Sequence, residues 1–230
     1  MTGRLREGYR ALVIGASGAI GEAFVQALRA DARCAEVLAV TRAHPWPWDL
    51  RDADSIATLA GRVNGPLHLV VDATGALTID GRGPEKRLQE LDAAALLANL
   101  QVNAVGPALL LRHLSPLLAR DERVLWAKLS ARVGSIEDNR KGGWYGYRAA
   151  KAALNQLLQT AAIELARQRP LAVVAALQPG TVRSSLSQPF VGEQATTPAL
   201  AVQGLLQALD QLEPTGRAHF IDYAGQSIPW

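Results

Sequence analysis

Tyr147 and Lys151 stand four positions apart in a stretch with a helical pattern. On an α-helix this spacing places both side chains on one face, about one turn apart. A free phenol has a pKa of about 10 and is a poor acid–base catalyst at neutral pH. An adjacent ammonium group stabilises the phenolate and lowers that pKa. The pair therefore predicts proton transfer by Tyr147 with Lys151 as its partner.

A glycine-rich turn near the start of the chain has the pattern of a dinucleotide site. Gly15, Gly18 and Gly21 follow a short apolar run at positions 12–14 and precede a helical pattern. Glycines at such spacing allow a tight turn, close approach to a pyrophosphate, and packing of helix on strand. The start of the helix offers free N–H groups and the positive end of its dipole to the phosphates. We expect Ser17 to add a hydroxyl donor.

The second predicted strand ends at Val40 and leads into a segment that decides the type of dinucleotide. A ribose with free hydroxyls is usually held by a carboxylate near this point, whereas a 2′-phosphate is held by an arginine. Positions 41–48 contain no Asp or Glu, while Arg42 is available as a bidentate phosphate ligand. The sequence therefore favours NADP(H) over NAD(H). Asp49 and Leu50 are expected to receive the adenine edge.

Apolar runs alternate with helical patterns along the chain, and this predicts a parallel sheet covered on both faces. We expect an α/β fold, a Rossmann-type doubly wound sheet of about seven strands, in one domain over 1–230 with a substrate loop at about 181–198. A kink is expected at Gly106 and Pro107 within one long helix. The predicted strands lie at positions 12–14, 37–40, 67–71, 123–127, 171–177 and 219–221. One predicted helix follows the glycine turn, from about position 19, and the others lie at 53–62, 92–118, 147–167 and 198–209.

Composition and charge restrict the classes of function. The formal net charge is only +3, and no block of five Lys or Arg residues occurs, so we predict no nucleic-acid partner. No apolar run approaches the roughly eighteen residues of a membrane span. One cysteine, Cys34, excludes an internal disulfide and favours a reducing, cytoplasmic location. The four histidines lack metal-ligand spacing, so no metal site is expected.

Taken together, the glycine turn and the Tyr147–Lys151 pair resemble the short-chain dehydrogenase/reductase family over nearly the whole chain. The likeness is best to its C-factor-like and short carbonyl-reductase branch. It is carried by the segments at positions 83–88, 102–107, 130–136, 142–148 and 228–230.

This resemblance implies a catalytic tetrad and a set of cofactor contacts. Tyr147 matches the acid/base, Lys151 its partner, and Asn103 the asparagine that holds a proton-relay water. The implied cofactor-binding positions are Gly15, Ser17, Gly18, Ile20 and Gly21 in the first turn, Arg42, Asp49 and Leu50 after the second strand, Ala73, Thr74 and Gly75 after the third, Asn103, Tyr147 and Lys151, and Pro179, Gly180, Val182 and Ser184 beside the nicotinamide.

The serine of the tetrad is the position at which this chain departs from the family. The family serine commonly lies three residues before the glycine matched by Gly134, where this chain has Ala131. Ser130 is adjacent, although neighbouring side chains on a strand point to opposite faces. We expect Ser130 to polarise the substrate carbonyl, with Ser135 as the alternative.

The expected activity is reduction of a ketone or aldehyde, or oxidation of the alcohol, with a small molecule as partner. Leu186, Pro189 and Phe190 in the substrate loop favour an apolar or aromatic compound. Two other functions fit the motifs: a non-catalytic NAD(P)-binding signalling protein of C-factor type, and an enzyme that epimerises or dehydrates a nucleotide sugar. The short C-terminal part argues against the latter. The resemblance also implies homo-oligomers through the helices that hold Asn103 and Tyr147, without fixing the number of subunits.

Overall fold

The computed structural model describes residues 3–183 and 195–230. Its strands, in chain order, are β1 (Tyr9–Ile14), β2 (Cys34–Val40), β3 (Leu69–Asp72), β4 (Val124–Leu129), β5 (Ala172–Gln178) and β6 (Ala218–Asp222). Its α-helices are α1 (Ala19–Arg29), α2 (Ala53–Ala60), α3 (Ala93–Leu100), α4 (Gly106–Leu114), α5 (Tyr145–Gln168) and α6 (Pro198–Gln211).

Six parallel strands form one sheet in the order β2-β1-β3-β4-β5-β6. The chain reverses its direction of travel across the sheet at β1, which pairs with β2 on one side and β3 on the other. Ligands of open α/β sheets bind at such a point, beyond the carboxyl ends of the strands. The predicted class of fold is therefore confirmed.

The predicted count of about seven strands is wrong for the residues that the structure describes, where the sheet has six. The reason lies between β2 and α2. Only positions 41–52 separate these two elements, whereas a further parallel strand needs a crossover of about a dozen residues in addition to its own length. The chain instead forms a loop there, in which the buried Trp48 donates its indole N–H to the Thr41 carbonyl at 2.7 Å.

Helices cover both faces of the sheet, as the alternation of strand residues requires. Leu12 and Ile14 point to the face covered by α2, α4 and α5, while Ala11 and Val13 point to the face covered by α1 and α6. Both cores are built from buried aliphatic and aromatic side chains.

The long helix predicted at 92–118 is interrupted, but before the expected kink. A π-helical segment, Gln101–Val105, joins α3 to α4, and Gly106 with Pro107 opens α4. A side chain at Gly106 would collide with the Leu50 backbone, so the loop after β2 packs directly against this helix. The stretch Ala93–Leu117 is the one described helix long and apolar enough to cross a bilayer, and 39% of its most apolar window is buried within the fold.

Gly204 provides a test of the packing of α6 against the end of β6. A Cβ there would lie well inside 3.0 Å of the Tyr223 carbonyl oxygen, which is backbone and cannot move aside alone. We expect Gly204→Ala to lower the free energy of unfolding by about 1–3 kcal/mol, as overpacking does. Gly61→Ala is the matched control, since its new methyl meets nothing closer than 3.5 Å. Equal denaturation midpoints for the two variants would contradict this packing.

Candidate active site

The glycine turn after β1 has the shape that a pyrophosphate requires. Gly15 has a φ of +79°, and a Cβ at Gly21 would collide with the Gly15 carbonyl, so α1 begins in direct contact with the turn. Gly18 is the N-cap of α1 and none of the described side chains caps this helix. The first N–H groups of α1 are therefore open to an anion. Ser17 is exposed beside them.

The segment after β2 lies next to this turn. The backbone N–H of Gly15 donates to the Val40 carbonyl at 2.9 Å, which brings the end of β2 to the glycines. Arg42 is exposed two residues later and forms no ion pair with any described residue. Asp49 is also exposed, and its carboxylate accepts the Arg51 N–H at 2.8 Å. The structure thus places Arg42 two residues from a strand end that contacts the turn, and leaves both Arg42 and Asp49 exposed.

The turn at residues 73–75, after β3, lies between the glycine turn and the predicted catalytic pair. A Cβ at Gly15 would lie 3.1 Å from the Thr74 nitrogen. A Cβ at Gly75, whose φ is +142°, would lie 3.1 Å from Asn103 Oδ1 and 3.4 Å from Lys151 Nζ. These close approaches bring the two motifs of the sequence into one crevice at the carboxyl edge of the sheet.

Tyr147 and Lys151 lie in the first two turns of α5 and are both buried. Lys151 Nζ is 5.5 Å from the centre of the Tyr147 ring and donates to the Leu129 carbonyl at 3.1 Å. The absence of a side chain at Gly134 lets a 3₁₀ turn pack on the Lys151 stem. The predicted pairing of these two side chains on one helix face is therefore present.

Burial moves the pKa values of this pair apart. It raises the pKa of Tyr147 to about 12 and lowers the pKa of Lys151 well below its ordinary value. The cation of Lys128 lowers the Lys151 pKa further, while the carboxylate of Asp72 opposes this. The expected lowering of the Tyr147 pKa by Lys151 is thus not found, because desolvation disfavours the charged form of both groups. Tyr147 is a protonated donor at neutral pH.

Asn103 is fully buried within the π-helical segment. Its amide donates to the Ala76 carbonyl at 2.8 Å and its Oδ1 accepts the Ala76 N–H at 3.0 Å. The same amide nitrogen is 3.4 Å from Asn99 Oδ1. These contacts tie α3 to the strand-end turn beside Lys151. π-Helical turns inside α-helices are frequent at functional sites.

Both candidate serines are buried, and each hydroxyl has a partner in the protein. Ser130 Oγ donates to Asn155 Oδ1 on α5 at 2.7 Å. Ser135 Oγ accepts the Asp138 N–H at 3.0 Å and lies 3.4 Å from the Trp230 carbonyl. The choice of Ser130 stays a prediction, and serving a substrate would require that hydroxyl to leave Asn155.

The far side of the crevice is formed by the segment after β5. Gly180 has a φ of +77°, a conformation that favours glycine, and its Cα packs on the Tyr223 ring. Val182 is buried and forms a bridge with Thr196. The Thr196 N–H donates to the Thr181 carbonyl at 2.9 Å, so the two ends of the predicted substrate loop are held together. Ser184 and the interior of that loop lie outside the described residues.

The comparison with known proteins identifies the family. A family model described as short chain dehydrogenase matches residues 9–195. The C-signal protein of Myxococcus xanthus is 32% identical over 167 residues, covering 72% of this chain and 94% of that protein. The chain belongs to the short-chain dehydrogenase family. The predicted family is confirmed, and with it the prediction of an oxidoreductase.

Other relatives support the same membership of the short-chain dehydrogenase family. The 1-hydroxy-2-glutathionyl-2-methyl-3-butene dehydrogenase of Rhodococcus sp. (strain AD45) is 30% identical over 186 residues, covering 79% of this chain and 78% of that protein. NADPH-bound carbonyl reductase from chicken fatty liver has a TM-score of 0.83 at 22% identity, with 98% and 100% of the two chains covered. A Pseudomonas aeruginosa carbonyl reductase in complex with NADP has a TM-score of 0.72 at 24% identity, with 96% and 99% covered. These solved structures show the shared fold.

Sequence reasoning missed two groups that this short-chain dehydrogenase places at the site. Lys128 is buried beside Asp72 on the neighbouring strand. A lysine inside the apolar run of β4 was a readable signal, since this chain otherwise prefers arginine. Glu85, also buried, accepts the Gly146 N–H at 3.0 Å and so places a carboxylate at the start of α5, next to Tyr147. No local pattern around Glu85 indicated that contact.

Gly21→Ala tests whether the glycine turn holds the dinucleotide. Its methyl would force α1 away from Gly15, and overpacking of this kind costs about 1–3 kcal/mol, so we expect the Kd values of NADPH and NADH both to rise roughly tenfold or more. Cofactor fluorescence measures both. Gly18→Ala should weaken binding less, because its methyl meets nothing closer than 3.5 Å in the protein. Wild-type affinity in Gly21→Ala would argue against a dinucleotide at this turn.

Proposed function

We propose that this chain is an NADP(H)-dependent oxidoreductase that reduces a ketone or aldehyde, or oxidises the corresponding alcohol, with Tyr147 as general acid/base. The observation that supports it most is the burial of Tyr147 and Lys151 side by side on α5. They lie where the strand-end turn at 73–75 meets the glycine turn. A small carbonyl compound is the proposed substrate, and one relative is a dehydrogenase of a hydroxyl-bearing compound, 1-hydroxy-2-glutathionyl-2-methyl-3-butene, which supports chemistry at a hydroxyl or carbonyl group.

In the proposed mechanism, a nicotinamide held beside Tyr147 and Lys151 would supply or accept the hydride, while the protein supplies the proton and positions the reactants. Tyr147 Oη gives its proton to the oxygen on which negative charge develops. Because burial keeps the Tyr147 pKa at about 12, the phenol carries that proton throughout the neutral range, which favours the direction of reduction. Ser130, with Ser135 as the alternative, is proposed to donate a second hydrogen bond to the same oxygen.

Lys151 and Asn103 serve Tyr147 in this proposal. Lys151 binds the nicotinamide ribose and stabilises negative charge on the phenol oxygen. Asn103, beside Gly75 and close to Lys151 Nζ, holds the water through which the proton is replaced from solvent. Its side chain is already fixed by two hydrogen bonds to Ala76, so it is preorganised for this role.

The preference for NADP(H) is proposed from Arg42. This guanidinium is exposed at the end of β2 beside the glycine turn, and no described carboxylate pairs with it. A 2′-phosphate fits such a group, since guanidinium binds phosphate through two parallel hydrogen bonds. Proteins of the same fold from chicken and P. aeruginosa bind NADPH and NADP, respectively, which supports the proposal.

A signalling protein is the second candidate function, favoured by the 32% identity to the C-signal protein of M. xanthus. The two candidates differ in turnover. NADPH consumption with a panel of apolar and aromatic carbonyl compounds supports the enzyme, whereas cofactor binding without turnover on any of them supports the signal.

Location and assembly complete the proposal. The single cysteine, Cys34, favours a cytoplasmic location.

Apolar side chains are exposed on two helices: Leu97 on α3, and Leu157 and Ile163 on α5. This exposed apolar surface supports a homo-oligomer through these helices.

Tyr147→Phe tests the proton donor. We expect loss of turnover by about 10²–10⁴-fold, the usual contribution of general acid catalysis, with the NADPH Kd within a small factor of wild type. Tyr145→Phe is the matched control, because Tyr145 is two residues away, more exposed, and has Ala149 in place of a lysine. Steady-state kinetics and fluorescence titration measure the two quantities. Retained turnover in Tyr147→Phe would remove the tyrosine from the mechanism.

Arg42→Ala tests the choice of dinucleotide. Loss of a charged hydrogen-bonding group should raise the Kd of NADPH by about 10- to 100-fold. NADH, which has no 2′-phosphate, should be affected little, so the ratio of the two Kd values is the decisive quantity. Arg29→Ala, an exposed arginine at the end of α1, controls for loss of surface charge. An unchanged ratio in Arg42→Ala would show that another group selects the cofactor.

A further inference from the structure

Lys128 and Asp72 form an ion pair in the core of the sheet. They stand directly opposite each other on the adjacent strands β4 and β3, with Lys128 Nζ 3.1 Å from Asp72 Oδ1. The two side chains are 1% and 0% exposed. A buried ion pair rarely adds stability over apolar residues of the same volume, because both charges lose their hydration. Its presence beside the crevice therefore calls for another role.

Both members of the pair hold Thr74. Lys128 Nζ donates to the Thr74 carbonyl at 2.6 Å and lies 3.2 Å from the Thr74 hydroxyl. Asp72 Oδ1 accepts the Thr74 N–H at 2.9 Å and the Thr74 hydroxyl at 2.5 Å. The backbone donor, the backbone acceptor and the hydroxyl of Thr74 are thus all fixed by these two charges.

Thr74 is in turn the centre of the turn that joins the two halves of the site. Its nitrogen is packed against Gly15 in the glycine turn, and the next residue, Gly75, is packed against Asn103 and Lys151 Nζ. A displacement of Thr74 would therefore move the backbone on which both the dinucleotide and the catalytic lysine depend.

We propose that Lys128 and Asp72 are positioning residues for cofactor binding and proton transfer: they fix the turn at 73–75 and place a second buried cation beside Lys151. The inference rests on the proposed function of Tyr147 and Lys151. In this proposal neither Lys128 nor Asp72 touches substrate; each acts on the site through neighbouring residues.

The charges around Lys151 support the second half of this proposal. Lys128 from β4 lowers the Lys151 pKa, and Asp72 from β3 raises it by a smaller amount. The other described groups in contact with or close to Lys151 carry no charge at pH 7: the Leu129 carbonyl on β4, Tyr147 on the same helix, Asn103 from the π-helical segment, and the backbone of Gly134. Removal of both charges should therefore raise the Lys151 pKa, since the stronger influence is that of Lys128.

Charge-neutral variants test this with a binding measurement. NADPH Kd is measured by cofactor fluorescence against pH for wild type, Lys128→Gln, and the double variant Lys128→Gln with Asp72→Asn. We expect the alkaline loss of binding, caused by deprotonation of Lys151, to move to higher pH in the double variant and further in Lys128→Gln, where Asp72 remains charged. Should Lys128→Gln fail to fold, the double variant carries the test, since it leaves no unpaired buried charge.

Thr74→Val tests the positioning. It removes the hydroxyl between the two charges while keeping the shape of the side chain, and we expect the NADPH Kd to rise about tenfold. Thr58→Val, at an exposed site on α2, is the control.

If the ion pair served stability alone, these variants would change the melting temperature only. The pH at which NADPH binding is lost and the NADPH Kd would then keep their wild-type values, and this result would overturn the inference. The proposed function fails separately, through absence of wild-type turnover or retention of turnover in Tyr147→Phe.

Discussion

Burial of a phenol and an ammonium group within one helical turn is the constraint on which this site depends. Desolvation disfavours the phenolate of Tyr147 and the ammonium form of Lys151 at the same time. Burial therefore keeps the phenol protonated, which suits an acid that gives its proton to the oxygen of a carbonyl group under reduction. For a tyrosine to act as a base at neutral pH, a neighbouring cation would have to lower its pKa by more than burial raises it.

The remaining architecture brings the dinucleotide turn to that pair. A parallel sheet ends all its strands at one edge, and the reversal at β1 opens a crevice there. Within it, glycines at 15, 21, 75 and 134 remove the side chains that would separate backbone from backbone or from Lys151. The turn at 73–75 is the common contact, and the buried Lys128–Asp72 pair fixes its central residue.

Much of this was readable from the sequence, for physical reasons that differ by element. Apolar runs and helical patterns predicted every strand and α-helix of the described chain, because each must bury one face or both. Glycine spacing predicted the tight turn after β1, and the four-residue step from Tyr147 to Lys151 predicted that both side chains share one helix face. The expected seventh strand is absent from the described residues, since positions 41–52 are too few to build it. Local patterns could not predict three other features. The Lys128–Asp72 pair depends on strand register, and the contact of Glu85 with the start of α5 joins segments that are distant in sequence. The π-helical turn depends on details of the backbone.

Titration of the Tyr147 phenol shows directly whether burial keeps this group protonated. Phenolate absorbance is followed against pH in wild type and Tyr147→Phe, and the difference isolates this one tyrosine. We expect a pKa of about 12 in the free protein and a lower value in the presence of NADP⁺, because a positively charged nicotinamide ring bound beside the phenol, as proposed, would stabilise the phenolate. A phenol that ionises near its ordinary pKa in the free protein, or one whose titration the cofactor leaves unchanged, would contradict this expectation.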